Sequence, residues 1–155
     1  DLHLGNRRQL QMCIRDSLYT KASIKKITSE IQNDLFDLGA DLATPVEAKP
    51  KYKPLRITSN QVERIEKVID KYNKKLKHLS SFVLPGGSKA ASFFHNARTV
   101  ARRAETLIVS LSKKEKINEQ ALKYINRLSD LFFVLSRVEN DNGKKDILWK
   151  PGKNV

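Results

Sequence analysis

The sequence predicts an all-α protein, an up-and-down helix bundle of about four main helices. Three observations point there. Apolar residues recur at three- and four-residue steps over separate stretches of the chain. Capping residues and proline or glycine breaks bound those stretches. No segment alternates apolar and polar residues over enough length to make a convincing strand. The connections are short or proline-rich, so the helices must bury their stripes against one another.

The first helix begins near Ser23 and carries Ile24, Ile27, Ile31, Leu35, Leu38 and Leu42 on one face. Thr44-Pro45 ends it, because proline drives the preceding residue out of the helical region. "ATPVEAKPKYKPLR" then supplies three prolines, a linker with extended stretches. Thr58 opens the second helix. Thr58 and Gln61 form a capping-box pair, and Ile57 can staple onto Val62. Its buried stripe is Val62, Ile65, Ile69, Tyr72 and Leu76. "KHLSSFVLPGGS" breaks the pattern, and Ser88 is a good N-cap for a third helix running to about Ser112. A Gly-Gly-Ser ahead of a helix could also cradle a phosphate, but the full spacing of a P-loop is missing and the turn-and-cap reading is preferred. Asn118 caps the fourth helix, which runs to about Val138 on the stripe Leu122, Ile125, Leu128, Phe132 and Leu135. The tail "NDNGKKDILWKPGKNV" reads as a turn and a short extended end.

The totals narrow the chemistry. The 155 residues are 39% hydrophobic and 30% charged, enough for one domain with a real core. A net charge of +13 favours an anionic partner: nucleic acid, a nucleotide or a membrane surface. Lysines spread over several helices also describe an ordinary solvated surface. The single cysteine, Cys13, excludes an internal disulfide and a cysteine-based zinc cluster. His3, His78 and His95 show no metal-ligand spacing, so no metal site is expected in the protein itself. The longest apolar run, Leu131 to Leu135, is far too short to span a membrane. No secretory leader is visible, which makes the cytoplasm the default setting.

Residues 1–17, "DLHLGNRRQLQMCIRDS", read differently from the rest. They lack a sustained period, and "QMCIRDS" resembles a translated sequencing-adapter scar. They are expected to be a non-native extension, with residues 18–155 forming the helical domain, incomplete at its N-terminus.

Two stripes are not explained by core packing. On the third helix Arg98, Arg102 and Glu105 fall within roughly 60° of one another, away from the apolar arc, with Arg103 projecting near its border. Guanidinium groups one turn apart could grip successive phosphates. The plainer reading is a surface ladder in which Glu105 pairs with Arg102, worth only tenths of a kcal/mol. Spacing alone leaves both open and leans toward the ladder. On the fourth helix Asn126, Asp130, Phe133 and Arg137 share one line, opposite Leu128 and Leu135. An aromatic aligned with an amide and charges suggests a ligand or a partner subunit. Neither helix offers a Ser-His-Asp set or a carboxylate pair, so any chemistry rests on positioning and charge stabilisation.

Taken together, "IQNDLFDLGADLATP", "SFVLPGGS", "ARTVARRAE", "NRLSDLFFVLSRVEN" and "LWKPG" resemble the PduO-type ATP:cob(I)alamin adenosyltransferase family. The motifs run in order from about Ile24 to Gly152. The resemblance implies a helix-bundle enzyme that assembles as a homotrimer with sites between subunits. It implies transfer of the 5′-deoxyadenosyl group of ATP to cob(I)alamin, giving adenosylcobalamin and triphosphate, with Mg2+ accompanying ATP. The reduced cobalt is then the nucleophile, and no side-chain nucleophile is needed. The family's arginine-rich, phosphate-binding pattern falls on Arg98, Arg102, Arg103 and Glu105, with Arg98 and Arg102 in the catalytic role. Its ATP-contacting asparagine falls on Asn126, and its corrin-facing aromatics fall on Phe82 and Phe133. Such aromatics help exclude the lower ligand of cobalt, which eases its reduction.

The family's ATP loop, of the form TKTGDxGxT, and the acidic partner of the arginine matching Arg98 have no counterpart here. "LYTKAS" at 18–23 echoes the loop but lies too close to "IQNDLF". This chain is therefore expected to bind ATP weakly and to catalyse poorly. Two readings of other classes compete: a basic helical nucleic-acid-binding module and a non-catalytic oligomerisation bundle. The arginines cluster beside a glutamate and no aromatics interleave with lysines, so nucleic acid is not expected as partner; with no apolar run long enough to span a bilayer, neither is a membrane.

Overall fold

The computed structural model describes residues 21–46 and 52–154. The segment 1–17, Cys13 and the middle of the proline-rich linker lie outside the described residues. Within them the order is α1 (Ala22–Ala43), α2 (Ser59–Asn73), β1 (Val83–Leu84), α3 (Lys89–Ser112), α4 (Glu119–Glu139) and β2 (Ile147–Leu148).

The helix starts follow their caps. Gln61 Oε1 accepts from the Thr58 backbone N–H at 2.9 Å. Ser88 Oγ accepts from Ala91 N–H at 3.1 Å, and Asn118 Oδ1 from Gln120 N–H at 3.1 Å. Each such bond satisfies a donor the first helical turn leaves unpaired, and losing one costs about 1 kcal/mol. On α1 the stripe residues Ile24, Ile31, Leu35 and Leu38 are buried, while Ile27 and Leu42 sit at the core margin. On α2 Val62, Ile65 and Tyr72 are buried, with Ile69 and Leu76 at the margin. Ile57, the staple residue ahead of α2, is buried as well.

α4 is the central element. It packs against α1, α2 and α3, and its burial therefore wraps most of the helix rather than one stripe. Ile125, Leu128, Phe132 and Leu135 are fully buried, but so are Tyr124, Ser129, Leu131 and Ser136. Two expectations change for that reason. Leu122, assigned to the core stripe, is only partly buried near the helix start. Arg137, assigned to a polar line, is buried.

Buried polar ties fix the helices on one another. Asp41, near the end of α1, accepts from Arg56 Nη1 at 2.8 Å, Ile57 N–H at 2.7 Å and Asn118 Nδ2 at 2.6 Å. One carboxylate thus joins α1, the linker and the start of α4. Asp34 accepts from the Tyr124 hydroxyl at 2.8 Å and pairs with Arg64. Burial, and then the Asp34 charge, push the Tyr124 hydroxyl well above its ordinary pKa, so it stays a donor.

Beyond α4 the chain reverses through Asp141, Asn142 and Gly143, all with positive φ. The reversal returns Asp146 to Arg137 at 2.7 Å and lays β2 antiparallel on β1, Leu148 opposite Val83 and Ile147 opposite Leu84. This two-residue ladder is the one strand pairing among the described residues. It is too short to leave the alternation by which a strand is read from sequence. Among the described residues no helix is long and apolar enough to cross a membrane.

Candidate active site

The two unexplained stripes face each other. α3 and α4 run antiparallel, and the polar line of α4 meets the arginine line of α3. Asn126 Nδ2 donates to Glu105 Oε1 at 2.7 Å. The other oxygen of Glu105 accepts from Arg102 Nη1 at 2.5 Å. Arg127 Nη2 donates to Asn126 Oδ1 at 2.6 Å and pairs with Asp130 at 3.0 Å. An unbroken polar chain therefore runs Arg102–Glu105–Asn126–Arg127–Asp130 across the two helices. Toward the other end of the same seam, the Arg98 guanidinium lies 4.6 Å from the centroid of the Phe133 ring.

The parts of this chain differ in exposure. The Glu105 side chain is largely covered, while that of Arg102 is 56% exposed. Glu105 holds one edge of the guanidinium and leaves the rest of the fork facing outward. Arg103 is exposed and Arg98 half-buried. The cation–π contact with Phe133 holds the Arg98 guanidinium over that ring. Phe133 is thus no solitary surface aromatic; it carries a cation on its face. His95, one turn before Arg98, is buried and its Nε2 has no hydrogen-bond partner. Burial first, then the Arg98 charge, lower its pKa, so the ring is held neutral.

Phe82 is not part of this seam. It sits just before β1, on the far side of the glycine turn that leads into α3, 76% exposed and edge-on to Trp149. The glycine turn itself is structural. Ser88 N–H donates to Asn140 Oδ1 at 3.0 Å, and Asn140 Nδ2 donates to Gly86 O at 3.1 Å. Gly87 has φ +99°, and a Cβ there would lie 2.1 Å from Asn140 Oδ1. Asn140 fills the space a phosphate would need, which supports the turn-and-cap reading.

Sequence reasoning missed three residues. Arg127 orients Asn126, although adjacent side chains on a helix do not normally meet; its ion pair with Asp130, three residues on, was the legible hint. Asn140 and Asp146 organise the loop beneath Phe82, and nothing local in the tail marks them.

The family model for Cobalamin adenosyltransferase matches residues 8–139. The chain belongs to the cobalamin adenosyltransferase family. Among curated proteins it is similar to the corrinoid adenosyltransferase of Mycobacterium tuberculosis, 50% identical over 131 residues, 83% of this chain and 67% of that one. It is also similar to the Bacillus subtilis corrinoid adenosyltransferase, 50% identical over 110 residues, 71% of this chain and 55% of that one. Among solved structures, it resembles a phenylalanine-to-alanine variant of the PduO-type ATP:corrinoid adenosyltransferase from Lactobacillus reuteri, complexed with cobalamin and ATP. That likeness has a TM-score of 0.83 at 35% identity, over 96% of this chain and 84% of that one. An arginine-to-lysine variant of the same enzyme, complexed with ATP, matches with a TM-score of 0.82 at 36% identity over 96% of this chain and 86% of that one.

Proposed function

We propose that the seam between α3 and α4 is the ATP-binding wall of an ATP:cob(I)alamin adenosyltransferase. The observation that carries the reading is the meeting of the two stripes: Glu105 bonded at once to Arg102 and Asn126, with Arg98 held over Phe133. A surface ladder needs no amide from a second helix. A nucleotide site does, because one wall must offer charge for phosphates and a directional polar group together.

In the reaction, reduced cobalt attacks C5′ of ATP. The Co–C bond forms with the cobalt electron pair, and the C5′–O bond breaks with its pair leaving on triphosphate. No protein nucleophile or base is required. The work left to this chain is to hold the leaving group and stabilise its charge. Arg102 and Arg98 take that role, with Arg103 at the rim. Glu105 positions Arg102, Arg127 positions Asn126, and Asn126 meets the nucleotide. Phe82 and Phe133 are read as the apolar side toward the corrinoid. Magnesium enters with ATP, whose phosphates and waters supply ligands to such an ion; among the described residues no group of three His, Cys, Asp or Glu side chains comes together. A homotrimer with sites between subunits supplies the remaining walls, and ATP as substrate fits a cytoplasmic setting.

The deciding measurement is a titration of the chain with ATP and cobalamin, with a DNA oligonucleotide as control and sizing of the assembly. Saturable ATP binding that sensitises the corrinoid spectrum supports the reading. Salt-dependent binding to the oligonucleotide alone would transfer the basic surface to nucleic acid.

A further inference from the structure

The apolar surface around the β1–β2 ladder is not used by the charged seam. Phe82, Leu84, Ile147, Leu148 and Trp149 are all exposed large hydrophobics, gathered on segments that the ladder brings side by side. Within that patch one contact is directional. Trp149 meets Phe82 edge to face, with ring centroids 5.9 Å apart and planes at 63°. The backbones under both rings are fixed: Trp149 N–H donates to Phe82 O at 2.8 Å, and Ser81 Oγ donates to Trp149 O at 2.8 Å.

The platform beneath is fixed as well. Asp146, the residue before β2, is held by Arg137 Nε at 2.7 Å and by Asn140 Nδ2 at 3.3 Å. Gly86 packs so closely on β2 that a Cβ there would lie 2.7 Å from Ile147 Cδ1. Phe82 itself has little packing at 76% exposure, and an exposed phenylalanine ordinarily samples several staggered rotamers. The contact with the ring of Trp149, a residue itself 44% exposed, is what selects one of them.

We infer that Trp149 is a positioning residue that sets the Phe82 ring against the lower face of the corrinoid. The inference rests on the reading of Phe82 given above and adds a residue to it. A ring meant to keep a ligand off cobalt acts by occupying space, so its orientation matters more than its presence. An exposed phenylalanine without a brace would leave that space part of the time.

The test compares the unaltered chain with Trp149→Ala and Trp149→Phe. Trp149 is the only tryptophan in the sequence, so quenching of its fluorescence by cob(II)alamin in the presence of ATP first reports corrinoid binding to the unaltered chain. Trp149→Ala should then raise the KM for corrinoid by roughly fivefold, the fold-change an aromatic pair of this kind supports, with the KM for ATP unchanged. The absorption spectrum of bound cob(II)alamin should shift toward the form that keeps its lower axial ligand. Trp149→Phe, which restores an aromatic edge, should recover most of both effects, and thermal melting checks that each variant folds. An unchanged spectrum and corrinoid KM in Trp149→Ala would overturn the inference alone. So would a joint rise in both KM values with lowered melting and no spectral change, the mark of a merely structural role. Absence of quenching in the unaltered chain would overturn the reading of the site, and this inference with it.

Discussion

Arg102 and Arg137 lie on the two helices that form the α3–α4 seam, each within hydrogen-bond distance of one carboxylate, and their surroundings are opposite. The Arg137 side chain is 5% exposed against an Asp146 side chain that is 2% exposed, and Arg137 Nη2 also donates to the Lys77 carbonyl. Its donors are turned inward to close the end of the bundle. Arg102 is 56% exposed, and its carboxylate, Glu105, is anchored from behind by Asn126. A buried guanidinium facing a buried carboxylate is a structural tie. An exposed guanidinium oriented by an anchored carboxylate keeps the rest of its fork turned to solvent.

That contrast breaks first, and most visibly, at Arg137. Arg137→Ala would leave Asp146 buried without its cation, which typically costs about 3–5 kcal/mol. Denaturant unfolding should show that loss, and an unfolding midpoint close to the unaltered value would mean that the tie is not structural. Arg102→Ala should do the reverse. Turnover should fall by roughly 10²-fold while unfolding free energy moves by less than about 1 kcal/mol, because the exposed pair stabilises little. Turnover preserved at saturating ATP would move Arg102 back to the surface ladder.

Two smaller changes sharpen the comparison. Gly87→Ala puts a Cβ against Asn140 at a left-handed φ and should destabilise the loop by about 1–3 kcal/mol. Unfolding measurements on Gly87→Ala alongside Asn140→Gly should show partial mutual rescue, since the clash needs both side chains. His95 should give the weakest signal. Its pKa is depressed in the folded chain by burial and by Arg98, with Asp146 pulling the other way. Below the unfolded value of 6.5 the unfolded chain takes up the proton first, so stability should fall as pH drops from 6.5 toward the folded pKa. Melting of His95→Gln between pH 7.5 and 5.5, flatter than that of the unaltered chain, would confirm the source; parallel curves would assign the slope elsewhere.

Legibility followed the range of the interaction. Thr58, Ser88 and Asn118 were readable as caps because a cap and its acceptor are two or three residues apart. The Arg102–Glu105 pair was readable for the same reason. The Glu105–Asn126 bond was not, because nothing local says which faces of two helices will meet. Arg137 misled for a related reason. Helical angle placed it on a polar line, but the angle does not report that a chain reversal beyond α4 will bring Asp146 back over it. Trp149 stood inside a recognised motif, "LWKPG", yet only strand pairing puts its ring on Phe82.

By itself, then, the sequence determined the helical class, the order and caps of the helices, the two unexplained stripes, and through its motifs the family to which the chain belongs. The tertiary structure alone decided that the stripes face each other, that one arginine is a tie and another is poised outward, and that the glycine turn is filled by Asn140. The physical reason is that period and capping are set by neighbours within a turn or two of the chain, whereas burial and partner choice depend on which distant segments are excluded from water together.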